Sequence, residues 1–211
     1  MKGIIKKIKG TDYQGLNFDD VHLRMFFKAL LEVDNTYYYY SVNHKEGPVR
    51  MQEHLERVFA YELYHQWSIL ITEYNKRQED NQRRIINGEA GKKLDECSVF
   101  PDLILHKGQD DLHNQEIAVE IKRKIALSEN NIIIDLSKLS DMLTEGKLCD
   151  NATPFKYGIF IVTGGTEDDV VPLLIKCKEK IENISNDIIW VFCQKKGEIQ
   201  YQSMDEIRQS L

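Results

Sequence analysis

Two apolar stretches interrupted by charged residues decide the fold: FPDLILH (residues 100–106) and EIAVEIKRK (residues 116–124). Side chains alternate between the two faces of a β-strand. In the second stretch Ile117, Val119 and Ile121 therefore share one face, which we expect to be core. Glu120 and Lys122 share the opposite face. The pattern predicts two strands that carry charged side chains inside an otherwise buried sheet.

The segment between these strands, KGQDDLHNQ (residues 107–115), is polar and contains Gly108, which favours a hairpin with a long loop. If the loop is symmetric about Asp111, Asp102 lies directly opposite Glu120. Cross-strand neighbours are about 5 Å apart at Cβ. Two carboxylates at that distance repel each other. We therefore expect a divalent metal ion between them, since such ions prefer oxygen ligands.

Helical and strand periodicities surround this hairpin. Residues 20–32 predict a helix capped by Asp19 or Asp20, and four consecutive tyrosines at 37–40 suit a strand or an irregular packed segment. Further along the chain we expect, in order, a long helix (49–78), a polar loop with or without a short strand (81–98), a helix capped by Asp135 (135–143), a strand (156–165), a helix capped by Thr166 (166–183) and a strand (187–194) beside GEIQYQ. This order predicts an α/β fold with a mixed central β-sheet flanked by helices.

Composition limits the class of protein. The chain has 211 residues, 29% charged and 42% apolar, and shows neither a repeat nor a low-complexity linker, so we expect one domain over residues 1–211, with 1–48 as an extension to the core. Without a secretory signal, a membrane-length apolar run or a C-x-x-C pair, the sequence predicts a cytoplasmic protein with reduced thiols. The net charge of -6 still permits a local basic groove.

The dipeptide Pro101–Asp102 followed by Glu120, Ile121 and Lys122 resembles the signature of the PD-(D/E)xK nuclease superfamily. The signature is short, but here it falls in phase on two predicted strands behind a long helix. The resemblance implies a restriction endonuclease-like core of αβββαβ type over residues 52–194. Within the superfamily the chain is most similar to small bacterial nuclease-like proteins with a YELYHQ-type helix, seen here at residues 61–66.

The resemblance also implies a site. Asp102, Glu120 and the Ile121 carbonyl would bind Mg²⁺ or Mn²⁺, and Lys122 would orient the attacking water or stabilise developing charge. The family further has an acidic residue on the first core helix. Helical spacing favours Glu62 over Glu56 as that catalytic and metal-binding carboxylate, because Glu62 falls within the apolar stripe of the long helix. The competing interpretation is a structural ion pair between Glu62 and an arginine or lysine at the rim of the core.

Basic residues flank the site in sequence: Lys92, Lys93, Arg123, Lys124 and Lys138. These side chains are candidates to bind nucleic acid, and Lys138 is the candidate for a phosphate contact, although surface solvation would also explain them. The expected function is metal-dependent hydrolysis of nucleic acid, with DNA as the first candidate substrate. The alternative is a nuclease-fold module that binds nucleic acid or a protein partner without cutting. For Asp102, Glu120 and Lys122 the competing interpretation is a structural ion cluster.

In the superfamily that the chain resembles, cutting both strands of a duplex usually needs two active sites, so the resemblance implies a homodimer. We expect its contacts at the apolar stripe of the first helix and at residues 37–40.

Overall fold

A computed structural model describes residues 6–9, 18–38, 48–88, 101–107, 113–145 and 153–211. Its centre is a mixed sheet in which β1 (Lys6–Lys9) and β7 (Glu198–Ser203) lie at one side. The order across the sheet is β1–β7–β6–β5–β4–β3–β2. The other strands are β2 (Ile85–Gly88), β3 (Leu103–His106), β4 (Gln115–Arg123), β5 (Tyr157–Thr163) and β6 (Ile188–Lys195). The pairs β4–β5 and β5–β6 are parallel, and the remaining pairs are antiparallel.

Helices cover both faces of the sheet, as the sequence predicts. One face packs against α1 (Val21–Glu32), α2 (Asn35–Tyr38) and α3 (Pro48–Asn75). The other packs against α4 (Glu129–Met142), α5 (Glu167–Lys176), α6 (Lys178–Ile181) and α7 (Met204–Gln209). Strand alternation separates the two cores: Ile117, Val119 and Ile121 point to the α1–α3 side, and Ala118 points to the α4–α7 side. None of the described helices is long and apolar enough to cross a membrane.

The register between β3 and β4 is the one that a hairpin centred on Asp111 predicts. Leu103 pairs with Val119, and Ile104 pairs with Ala118. Extending this ladder by one residue places Asp102 opposite Glu120. The register slips by one position only at the loop end, between Leu105 and His106. The hairpin prediction is therefore confirmed at the end where the charged residues lie.

Two predicted helix boundaries are wrong. Asp135 does not cap a helix: α4 begins two turns earlier, where Ser128 Oγ accepts a hydrogen bond from the Asn131 N–H at 3.2 Å. The polar residues at 129–131 obscured this start, and Asp135 lies buried in the middle of the helix. The helix that begins after Thr166 is confirmed at its start, with a capping box to Asp169, but it breaks at Cys177 into α5 and α6.

The first helix has the bounds and the Asp20 cap that the sequence predicts, but its apolar face is packed into the core. Asp20 Oδ1 accepts from the N–H groups of His22 and Leu23 at 2.8 and 3.1 Å. The helix buries Phe26 and Leu30, among others, in the core. Tyr38 is also buried, in α2, where a strand or irregular segment was expected. The side chains that this face buries are not available for the expected dimer contact; Tyr37 is half-buried, and Tyr39 and Tyr40 lie outside the described residues.

Candidate functional site

Asp102 lies just before β3 and extends the pairing of that strand through its side chain. Its Oδ2 accepts a hydrogen bond of 2.7 Å from the backbone N–H of Ile121 on β4. Burial raises the pKa of the Asp102 carboxyl, although this hydrogen bond and the ammonium groups of Lys122 and Lys138 act in the opposite direction. The carboxylate is thus fixed against the sheet while it keeps its other oxygen for a further partner.

Glu120 is a carboxylate within the core of the sheet. β4 lies between β3 and β5, and the Glu120 side chain is 1% exposed. Burial raises the pKa of Glu120 well above its usual value, and the neighbouring Asp102 charge raises it further. Lys138 on α4 acts in the opposite direction and lowers the pKa of Glu120, since its Nζ lies 2.5 Å from Glu120 Oε1. The charge of the Asp102 carboxyl group therefore acts on Glu120, as expected. The cation beside Glu120 is Lys138, which we expected to contact a phosphate.

Lys122 extends from the same face of β4 and meets α4. Its Nζ lies 3.3 Å from Asp135 Oδ2. Burial by itself would lower the pKa of Lys122, but the charges of Asp135, Glu56 and Asp102 outweigh burial and raise it. The ammonium group is consequently held among three carboxyl groups and stays charged.

Asp135 is the functional candidate that sequence reasoning missed. It is 6% exposed and contacts both lysines, with Oδ1 3.6 Å from Lys138 Nζ. The sequence does contain a signal for this contact: Asp135 and Lys138 have D-x-x-K spacing, and residues three apart lie on the same side of a helix. This pair flanks the apolar stripe of Ile132, Leu136 and Leu139 that packs on the sheet. Reading Asp135 as a helix cap concealed that relation.

The helix carboxylate at this site is Glu56 rather than Glu62. Glu56 Oε1 accepts a hydrogen bond of 3.1 Å from the Arg123 N–H at the end of β4. Burial raises the pKa of Glu56, while that hydrogen bond and the Lys122 charge lower it. Glu62 instead accepts a hydrogen bond from Gln66 Nε2 on the same helix at 2.7 Å. The structure therefore brings Glu56, and not Glu62, beside Lys122.

The phase of α3 explains this correction. Its most deeply buried side chains are Phe59, Leu63 and Trp67, with Ile71 one turn further on. Continuing that stripe one turn towards the N-terminus reaches Glu56, whereas Glu62 lies at its margin. The apolar stripe that we expected from the sequence did not include Trp67 and Ile71. The centre of that stripe was therefore placed too close to Glu62.

The donor set at this site fits a hard divalent cation. Four carboxyl groups (Glu56, Asp102, Glu120 and Asp135) surround the ammonium groups of Lys122 and Lys138. If all six are ionised, two negative charges remain in excess, which one Mg²⁺ or Mn²⁺ neutralises. The N–H and C=O of one strand residue point to the same side. The Ile121 carbonyl therefore faces Asp102, as its predicted role requires.

The predicted nucleic-acid contacts are only partly placed at the site. Lys124 follows β4, is exposed, and has Nζ 2.8 Å from Asp169 Oδ1. Arg123 is bound through its backbone to Glu56, and Lys138 lies at Glu120 rather than on the surface. Lys92 and Lys93 lie outside the described residues. The structure therefore brings Lys138 directly into the site and leaves Lys124 at its edge.

A second polar cluster lies at the start of β4. In the described part of the chain, Asp20, His22 and Glu116 alone bring three ligand atoms of His, Cys or carboxyl groups within 4.8 Å of one another. Glu116 is already engaged: Arg84 donates to its Oε1 from Nε at 3.0 Å, and Lys156 Nζ lies 2.6 Å from its Oε2. A metal ion would have to replace both cations. We interpret this cluster as a structural ion network.

Comparisons of the chain with protein-family models, with curated proteins and with solved structures found no match.

The Glu116 network generates a prediction with a defined sign. Burial alone would raise the pKa of Glu116, but hydrogen bonds from His22 and Lys156, together with Arg84, lower it from 4.5 to about 2. A lowered folded-state pKa stabilises the fold above the unfolded pKa, and that contribution disappears as the pH falls towards 2. Glu116→Gln should therefore reduce the free energy of unfolding by on the order of 2 kcal/mol at pH 7. Denaturant titrations between pH 7 and 2 should show this difference shrinking below pH 4.5. A constant difference would contradict the assignment.

Proposed function

We propose that this protein is a metal-dependent phosphodiesterase that hydrolyses nucleic acid, with DNA as the first candidate substrate. The observation that carries the proposal is the pairing of Asp102 with Glu120 across the β3–β4 register, with Lys122 on the same face. A buried carboxyl group whose pKa is raised by burial and by the charge of a neighbouring carboxylate does not help the chain to fold. Strongly perturbed pKa values of this kind cluster at functional sites.

The order of elements supports a restriction endonuclease-like core. The chain runs α3, β2, β3, β4, α4, β5, which is the αβββαβ order that the resemblance implies. Within this core, α3 and α4 lie on opposite faces of the sheet, and each brings a carboxylate to the end of β4. The carboxyl groups of Glu56, Asp102 and Asp135 thus come from three different parts of the core and act on the charge of Lys122.

Asp102, Glu120 and the Ile121 carbonyl would hold the metal ion, and Glu56 is the additional helix carboxylate beside them. When bound, Mg²⁺ or Mn²⁺ lowers the pKa of a bound water and polarises a phosphate oxygen. The protein's own contribution is to fix these ligands: Asp102 is held by the Ile121 N–H, and Glu56 is held by the Arg123 N–H. Fixed ligands act without reorganisation during the reaction.

Lys122 supplies a positive charge beside the carboxylates. Its ammonium is held by Asp135 and stays protonated, so it can stabilise negative charge on a phosphate or orient a water by donating hydrogen bonds. A lysine suits this role because its charge is compact and its stem is flexible. Asp135 keeps that stem directed towards the site.

A second candidate function is a nuclease-fold module that binds without cutting. The observation that favours it is the ion pair between Lys138 and Glu120, because a lysine already neutralises one of the carboxylates. In that case the six charged groups form a structural ion cluster and divalent metal has no place among them. The two experiments below separate these functions.

Lys122→Ala should slow cleavage of supercoiled, linear or single-stranded substrate by about 100-fold or more, since a charge that stabilises the transition state is lost. The variant should still bind Mn²⁺. Activity should require Mg²⁺ or Mn²⁺ and disappear with chelator. Lys76→Ala is the matched control, because Lys76 pairs with Glu73 at the far end of α3. Equal cleavage rates for Lys122→Ala and the parent would rule out the role of Lys122.

Glu120→Gln removes one of two repelling charges and keeps the size of the side chain. In metal-free buffer the variant should be more stable than the parent by on the order of 1 kcal/mol, because the raised pKa shows that the charged form of Glu120 is disfavoured. Mg²⁺ or Mn²⁺ should raise the Tm of the parent, since a ligand that binds only the folded state stabilises it. The variant should respond much less.

Glu116→Gln on the same strand is the control for this experiment. It should lower the Tm and keep the full response to metal. A structural ion cluster predicts the reverse for Glu120→Gln: a lower Tm, and no metal response in either protein. Loss of the metal response in Glu116→Gln alone would move the metal site to the cluster of Asp20, His22 and Glu116.

A further inference from the structure

Lys138 places a positive charge at the carboxylate where a metal ligand is needed. Its Nζ approaches Glu120 Oε1 to 2.5 Å, closer than the Lys122–Asp135 contact of 3.3 Å. The contact pairs opposite charges, and Oε1 is shielded from solvent. Another cation therefore reaches this oxygen only by taking the place of the ammonium group.

A second carboxylate lies within reach of the same ammonium group. Asp135 Oδ1 is 3.6 Å from Lys138 Nζ, one helical turn earlier on α4. Asp135 is buried and already holds Lys122 through its other oxygen. A flexible lysine stem lets the ammonium group leave Glu120 and approach Asp135 without any movement of the helix.

We propose that Lys138 is a built-in counter-ion of Glu120, which the divalent metal displaces and which then pairs with Asp135. This inference rests on the proposed metal site at Asp102 and Glu120. An ammonium group and a metal ion cannot both lie against Glu120 Oε1, because like charges a few ångströms apart repel strongly in a buried site. The affinity for metal is therefore set by competition, and Lys138 is a positioning residue that keeps Glu120 in place until metal arrives.

The competition predicts a rank order of affinities for Mn²⁺ alone, measured by electron paramagnetic resonance. Lys138→Gln removes the competing cation and should bind Mn²⁺ about 10-fold more tightly than the parent, a change that corresponds to about 1.4 kcal/mol. Lys138→Arg should bind Mn²⁺ no more tightly than the parent, since a guanidinium group pairs with a carboxylate through two hydrogen bonds. Lys176→Gln removes the same charge from a surface pair with Glu129 and should match the parent.

Several outcomes would overturn the inference. Unchanged or weaker Mn²⁺ binding by Lys138→Gln would mean that the lysine supports Glu120 instead of competing for it. Tighter binding by Lys138→Arg would do the same, and this variant keeps the charge if Lys138→Gln fails to fold. Glu120→Gln identifies the source of failure. If it binds Mn²⁺ as the parent does, or if the parent binds none, both the metal site and the inference fail. If it loses binding while Lys138→Gln binds no more tightly, only the inference fails.

Discussion

The repulsion between the Asp102 and Glu120 carboxyl groups is the constraint around which the site is arranged. Burial raises the pKa of both groups, and the charge of Asp102 raises the pKa of Glu120 further. A fold selected for stability alone would place apolar side chains at such positions, because a buried charge is costly unless it is fully compensated. The chain instead surrounds the pair with bound partners: the Ile121 N–H holds Asp102, and Lys138 neutralises Glu120.

The two ends of β4 show opposite solutions to the burial of a glutamate. At the start of the strand, Glu116 is bound by Arg84 and Lys156, and its pKa falls to about 2. Four residues later, Glu120 has a raised pKa, and Lys138 is the close cation that the described residues place beside it. A buried carboxylate whose charge is fully offset by neighbouring cations stabilises the fold. A buried carboxylate whose charge is only partly offset is available to a ligand. This contrast, within one strand, is the physical basis for assigning structure to one end and chemistry to the other.

Local periodicity predicted the sheet and the Asp102–Glu120 pairing because a strand has a fixed period of two, and a one-residue error would have moved Glu120 to the other face. Helix phase was harder to predict. Glu62 was chosen over Glu56 because the stripe was centred without Trp67, and Asp135 was assigned to a helix end because polar residues at 129–131 hid the true start. The lysine beside Glu120 depends on how α4 packs on the sheet, which the sequence pattern does not encode.

The proposed site depends on where a divalent cation binds, and anomalous diffraction from crystals soaked in Mn²⁺ measures this directly. A metal site at Asp102 and Glu120 predicts a peak between their carboxyl groups, with the Lys138 ammonium group moved from Glu120 towards Asp135. A peak at the cluster of Asp20, His22 and Glu116, or no peak at either place at saturating Mn²⁺, would contradict it.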